Sequence, residues 1–240
     1  CWNIKKKGTP TMRVTNLHMA YKIVFAAAAF TVLSAPLAMA DDACRDAVQA
    51  AFDKQRLMAT GYRFNAEVPG DQGKTQMTID YLPPDRMYQT VTAPGHEKPV
   101  ETIAIQRWAW GTMGGGWEEL KPQFAQSIIA HVQATLTNPP KLTTDFKCLG
   151  KVALDGNEYL AYRADQPSGD AGSTSDTPQL ARTVYVDEKS GLPYGNVVAR
   201  VDGKEGAVFS GRYTYPTDIK IEAPIGGHDI TPNKNDATKN

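Results

Sequence analysis

Alternation of apolar and polar residues runs through most of the chain and gives way twice to helical periodicity. The first helical stretch begins at Asp41 or Asp42, either of which can cap it, and runs to about Met58. Val48, Ala51, Phe52 and Gln55 fall on one face, with Arg45, Asp46, Asp53, Lys54 and Arg56 largely on the others. Gly61 marks the change of period. Strands are expected at Tyr62–Val68, Thr75–Leu82 and Arg86–Ala93, separated by Pro69-Gly70-Asp71-Gln72-Gly73 and Pro83-Pro84-Asp85. Val100 to Trp110 alternates as one further strand, Gly111–Gly116 is a glycine-rich turn, and Trp117–Leu120 starts the return.

Pro122 opens the second helix, expected to reach Leu136 before Asn138-Pro139-Pro140 ends it. Phe124, Ile128 and Val132, with Ile129 and Leu136 alongside, give it a broad apolar stripe. Strands follow at Thr143–Leu154, Glu158–Ala164, Ala181–Asp187, Tyr194–Val201 and Ala207–Tyr215, with a last short one at Ile219–Ile225. A polar excursion at 165–178 interrupts them, and a polar tail from Gly226 to Asn240 is expected to be disordered. Short turns between consecutive strands imply an antiparallel meander. The fold class is therefore α+β, mainly antiparallel β. Two helices cannot cover so much sheet, and curling toward a barrel is one remedy.

Residues 1–40 read differently. Met19–Lys22 is a short basic start, Ile23–Leu33 an apolar run, and Ala38-Met39-Ala40 a small-residue cleavage site before Asp41-Asp42. The run is too short to span a bilayer, which takes about 20 apolar residues. Residues 19–40 are thus expected to be a signal peptide cleaved near Ala40, with 1–18 an upstream extension or misassigned start. The export expected is to the periplasm or beyond. Cys44 is not read as a lipidation site, because Asp41 stands where lipid attachment needs an aliphatic residue.

Charge and cysteine content sharpen this picture. The whole chain balances 26 basic against 26 acidic residues, but Lys5, Lys6, Lys7, Arg13 and Lys22 lie before the cleavage site. Residues 41–240 therefore keep 21 basic and 26 acidic groups, a net −5. That does not suggest a nucleic-acid partner or an anionic membrane surface. Cys44 and Cys148 remain as an even pair in an oxidising compartment and are expected to form one disulfide. Such a bond stabilises by roughly 2–4 kcal/mol.

Catalytic and metal-binding signatures are not found. His96, His131 and His228 are scattered without metal spacing, and neither Gly-x-Ser-x-Gly nor Ser-x-x-Lys occurs. The glycines at 114–116 lack the lysine and helix of a phosphate loop. Glu118-Glu119 and Asp187-Glu188 are adjacent on presumed strand ends, where neighbours point to opposite faces. No catalytic residue, cofactor or metal is assigned. The aromatics Tyr62, Phe64, Tyr81, Tyr88, Trp108, Trp110 and Trp117 crowd the first strands. Ordinary core accounts for most of them; the functional reading is a face wider than its own side chains can fill.

Four segments carry a resemblance. Val184-Tyr185-Val186-Asp187-Glu188-Lys189-Ser190-Gly191-Leu192-Pro193 resembles the strand–turn unit of periplasmic proteins of the outer-membrane lipoprotein carrier-like (LolA/LolB-like) superfamily. Thr78-Ile79-Asp80-Tyr81-Leu82-Pro83-Pro84-Asp85-Arg86, the glycine turn before Trp117, and Tyr213-Thr214-Tyr215-Pro216 to Ala223-Pro224 follow in that superfamily's order. The resemblance covers most of 42–225 and implies an open, unclosed β-barrel or strongly curved sheet, with the helices as lid or plug over an apolar interior. It also implies an arginine tethering the lid, for which Arg63 and Arg86 are candidates by position. The polar excursion and the disulfide are not general features of such carriers.

These readings converge on a single domain at 41–225 binding a lipid, acyl chain or lipoprotein, without enzymatic activity and as a monomer. Met77, Tyr81, Trp108 and Trp110 would line the cavity, and Phe124, Ile128, Ile129 and Val132 would form the lid. The alternative is an envelope module that docks a protein partner and has a filled core. An enzyme would need a cleft gathering His131 with carboxylates.

Overall fold

The computed structural model describes residues 41–112, 115–165, 179–204 and 206–225. The expected leader and upstream extension, all but the first residue of the polar excursion, and the tail lie outside these residues. The remainder belongs to one compact unit, Ala38–Asn240.

Among the described residues eleven strands form one antiparallel sheet in the order β6-β5-β4-β3-β2-β1-β11-β10-β9-β8-β7. They are β1 (Tyr62–Gly70), β2 (Gly73–Leu82), β3 (Arg86–Thr92), β4 (Val100–Ile105), β5 (Trp108–Gly111), β6 (Glu118–Glu119), β7 (Lys147–Leu154), β8 (Asn157–Asp165), β9 (Leu180–Val186), β10 (Pro193–Arg200) and β11 (Phe209–Thr214). Each neighbouring pair but one is a hairpin or a consecutive connection. The exception is β1 with β11, which joins two meanders at the centre of the sheet and leaves β6 and β7 as its edges. The sheet is open: it neither closes nor curls strongly into the barrel that the sequence suggested as one way to cover it.

Instead, both helices cover the same face. α1 (Asp41–Arg56) lies over the β7–β9 half, where Cys44, Val48 and Ala51 pack with Phe146, Tyr162, Ala164, Val184 and Val186. Its last turn carries Lys54 and Arg56, which oppose the helix dipole. The Cys44–Cys148 disulfide, 104 residues apart in sequence, ties α1 to β7. α2 (Pro122–Val132) continues into a π-helical turn, Gln133–Thr137, and covers the other half. Val132 and Leu136 are buried there against Tyr62, Ile79, Tyr81, Met87, Ala104 and Ala109. The alanines matter, because small residues at 104 and 109 let a helix approach the sheet closely at interior packing density.

Two expectations need correction. Val100–Trp110 is not one strand but a tight hairpin, turning at Gln106–Arg107 so that Ile105 pairs with Trp108. Gln106 takes a left-handed φ of 54° and its N–H donates to the Asp85 carbonyl, 3.2 Å away. The polar pair at 106–107 was the turn signal. The segment Ile219–Ile225 adds no strand. Ile219, Ile221 and Ala223 instead pack on the face opposite the helices, against Ile103, Ile105 and Trp110.

Candidate functional site

Between α1 and α2 the shared face is not filled. A half-open, mostly apolar cavity of about 390 Å³ lies there, within the size range of small-molecule sites. Its floor is the centre of the sheet, with Tyr62, Phe64, Met77, Ile79 and Tyr81 from β1 and β2, and Phe209 and Tyr213 from β11. Phe52, Gln55 and Arg56 of α1 form one wall. His131, Ala134 and Thr135 of the α2 segment form the other, and Pro139, Pro140 and Leu142 close one end. A larger groove of about 720 Å³ adjoins it, sharing Gln49, Arg56, Pro139 and Leu142, but most of its lining residues are charged or polar, among them Arg45, Asp46, Asp53 and Lys141. The smaller, apolar space is the candidate ligand site, because transfer of apolar surface from water drives binding there.

The floor owes its shape to a glycine. Gly211 sits beside Phe64, and a Cβ at that position would lie 2.2 Å from the ring. The absent side chain lets Phe64 lie flat across β11, with ring centroids 4.7 Å from Tyr213 and 6.2 Å from Phe209. Aromatic contacts of this kind add to the area buried.

The walls are pinned from several sides. On α1, Gln55 is 2 % exposed and its amide donates to the Tyr215 hydroxyl at 3.1 Å. Tyr215 passes its own proton donor to the Pro193 carbonyl. Gln49 accepts from the Leu142 N–H at 2.9 Å, and Arg45 pairs with Asp145 at 3.0 Å. On the opposite wall, His131 Nε2 and the Tyr81 hydroxyl are 2.9 Å apart. The Thr137 hydroxyl donates to the Pro84 carbonyl at 3.0 Å, which fastens the end of the π-helical turn to the β2–β3 connection.

Burial governs the titration of these groups. It raises the Tyr62, Tyr81 and Tyr215 phenols well above their usual range and pushes Tyr213 up to about 12, with nearby Arg182 pulling Tyr213 partly back. All four phenols stay neutral. Desolvation lowers the His131 imidazole, which favours the neutral ring beside the Tyr81 hydroxyl. No Asp or Glu among the described residues lines the cavity, so none of them sets a carboxylate there beside His131. Among the described residues no group of His, Cys, Asp and Glu is arranged to hold a metal ion.

The structure distributes the sequence-based candidates unevenly. Met77 and Tyr81 line the cavity. Ile128 and Val132 face the sheet, Ile129 is half-buried, and Phe124 is 58 % exposed at the outer end of α2. Trp108 and Trp110 do not line the cavity. The register Tyr81–Met87–Ala104–Ala109 puts Ala109 on the cavity face and both tryptophans on the other, under Ile219, Ile221 and Ala223. Arg63 and Arg86 are also on that far face. Arg63 makes a two-pronged ion pair with Asp80, at 2.6 and 2.8 Å, and Arg86 donates to the Ile221 carbonyl at 2.7 Å. Neither arginine tethers a helix. Sequence reasoning missed Arg182, Asn196, Phe209 and Tyr213, which reach the cavity from strands distant in sequence. Alternation placed each on a face, but only the β1–β11 pairing brings that face under the helices.

No family model and no curated protein matches the chain. Similar solved structures include LprF from Mycobacterium bovis, with TM-score 0.49, 11 % identity, and coverage of 76 % of this chain and 97 % of that one. The Mycobacterium tuberculosis lipoprotein LppX gives 0.47 at 12 % identity, over 76 % and 100 %. A LolA superfamily protein from Nitrosomonas europaea gives 0.30 at 16 %, over 76 % and 96 %. The likeness extends no further than the fold. The functional reading rests on the cavity.

Proposed function

We propose that this chain is an exported, non-enzymatic protein that shelters a lipid or a lipoprotein acyl chain in the cavity between α1 and α2, in the periplasm or outside the cell. One observation carries the proposal: an apolar cavity of about 390 Å³ left open on a sheet face that the two helices otherwise cover. Aromatic and aliphatic side chains floor it, and a few hydrogen-bonding groups stand at its walls, the usual composition of a site for an apolar ligand. Protein docking without a ligand predicts a filled core, and the open cavity favours the ligand reading over it. The reading also accounts for the pinned helices, since a wall held by side-chain bonds and a disulfide keeps the space from collapsing.

The test is native mass spectrometry on protein purified from a periplasm, together with uptake of a fluorescent fatty acid by delipidated protein. Co-purified lipid, or saturable uptake near one equivalent, is the expected result. The absence of both adduct and uptake would sink the proposal.

A further inference from the structure

The cavity contains a charge that an apolar ligand alone does not explain. Arg182 of β9 lines it, at the end opposite His131's partner strand β2. Its Nε donates to Asn196 Oδ1 at 2.9 Å, and its guanidinium lies 5.9 Å from the Phe52 ring centroid. Both partners are neutral. Among the described residues no carboxylate pairs with Arg182, and none lines the cavity. The other cavity arginine, Arg56, is already paired with Asp53. Although residues 41–240 are acidic on balance, among the described residues Arg182 stands as an uncompensated cation beside the apolar cavity. A half-buried charge without a counter-ion is costly, and an anion supplied by the ligand would remove that cost.

We propose that Arg182 receives the anionic head of the ligand, so that the cavity takes a single-tailed amphiphile with a carboxylate or phosphate head in preference to a neutral lipid. This rests on the reading of the cavity as a lipid site. Asn196 holds the Nε side and Phe52 one flank, which fixes the planar guanidinium while its terminal amino groups remain to donate. A pair of anionic oxygens matches that fork, and such charge-assisted bonds are short and strong. The tail would then lie along Phe209, Tyr213, Phe64 and Ile79 toward Tyr81.

The experiment compares hexadecanoate, hexadecyl phosphate and hexadecanol as displacers of a fluorescent probe from delipidated protein. Wild type, Arg182→Met and Arg182→Lys are measured, with circular dichroism as the check on folding. Wild type is expected to bind one or both anions roughly tenfold or more tightly than the alcohol. R182M should lose that preference, its affinity for the anions falling toward that for hexadecanol, and R182K should recover part of it. The stronger of the two anions identifies the head. Equal affinity of wild type for acid and alcohol overturns the inference but leaves the lipid site standing, as does an undiminished preference in R182M. If wild type binds none of the three, the lipid reading itself falls. Should R182M fail to fold, the wild-type comparison and R182K still decide the matter.

Discussion

Removing the disulfide by a Cys44→Ala/Cys148→Ala double substitution should destabilise the fold and loosen one wall of the cavity in particular. The bond closes a loop with a sequence separation of 104. The chain-entropy relation for a loop of that size gives about 4.7 kcal/mol at 25 °C as the stabilisation lost. Cys44 is fully buried in the cluster with Val48 and Ala51, so the small loss of packing at alanine adds to this. For a domain of this size, about 4–5 kcal/mol corresponds to a fall in Tm of roughly 10–20 °C. α1 would retain its weaker ties, Gln55 to Tyr215, Gln49 to Leu142 and Arg45 to Asp145. Each is worth about 1 kcal/mol or less. Hydrogen exchange should therefore accelerate in residues 44–55 more than in β1–β4, and probe uptake should weaken. Urea denaturation with exchange mass spectrometry measures both quantities. A loss below about 1 kcal/mol, or exchange that rises equally in α1 and β1–β4, would refute the reasoning.

Gly211→Val forces a side chain into the space of the Phe64 ring. It should cost about 1–3 kcal/mol by overpacking and reduce probe uptake as the ring is driven into the cavity; unchanged denaturation and uptake would contradict this floor geometry. His131 links stability to pH. Its folded pKa lies below its unfolded value near 6.5, so the neutral-ring contribution is present above that pH and declines as pH falls through the folded pKa. His131→Gln should flatten that part of the wild-type profile, and an unchanged difference between pH 5 and pH 7.5 would count against it. Arg63→Ala strips the partner from Asp80, which is 8 % exposed, and should cost about 1–3 kcal/mol without altering ligand uptake. A change in uptake would restore Arg63 as a tether.

Much of this architecture could be read from the sequence because its signals are local. Alternation ending at Pro69–Gly73 and Pro83–Asp85 marks β1, β2 and β3 to within a residue or two. The stripe Val48–Ala51–Gln55 identified the face of α1 that the structure buries. The faces were harder. Trp108 and Trp110 share a face in the sequence as they do in the structure, but size alone suggested that it was the cavity face. Both faces of β3–β5 are covered, by α2 on one and by residues 219–223 on the other. Large apolar residues therefore alternate with small ones, and the small ones, Ala104 and Ala109, face the helix. The cavity itself depends on β1 meeting β11, residues about 150 apart in sequence, and no short-range pattern encodes that pairing. Arg182 lies within the strand expected at Ala181–Asp187, and nothing local marks it as a cavity residue.

The central claim is most directly tested by the affinity of delipidated protein for saturated acyl ligands of increasing length. If the tail is buried in the cavity, each added methylene contributes about 0.8 kcal/mol. Kd should then fall roughly fourfold per carbon until the space is full, and level off beyond. Affinity that does not depend on chain length, or no measurable binding at any length, would contradict the account.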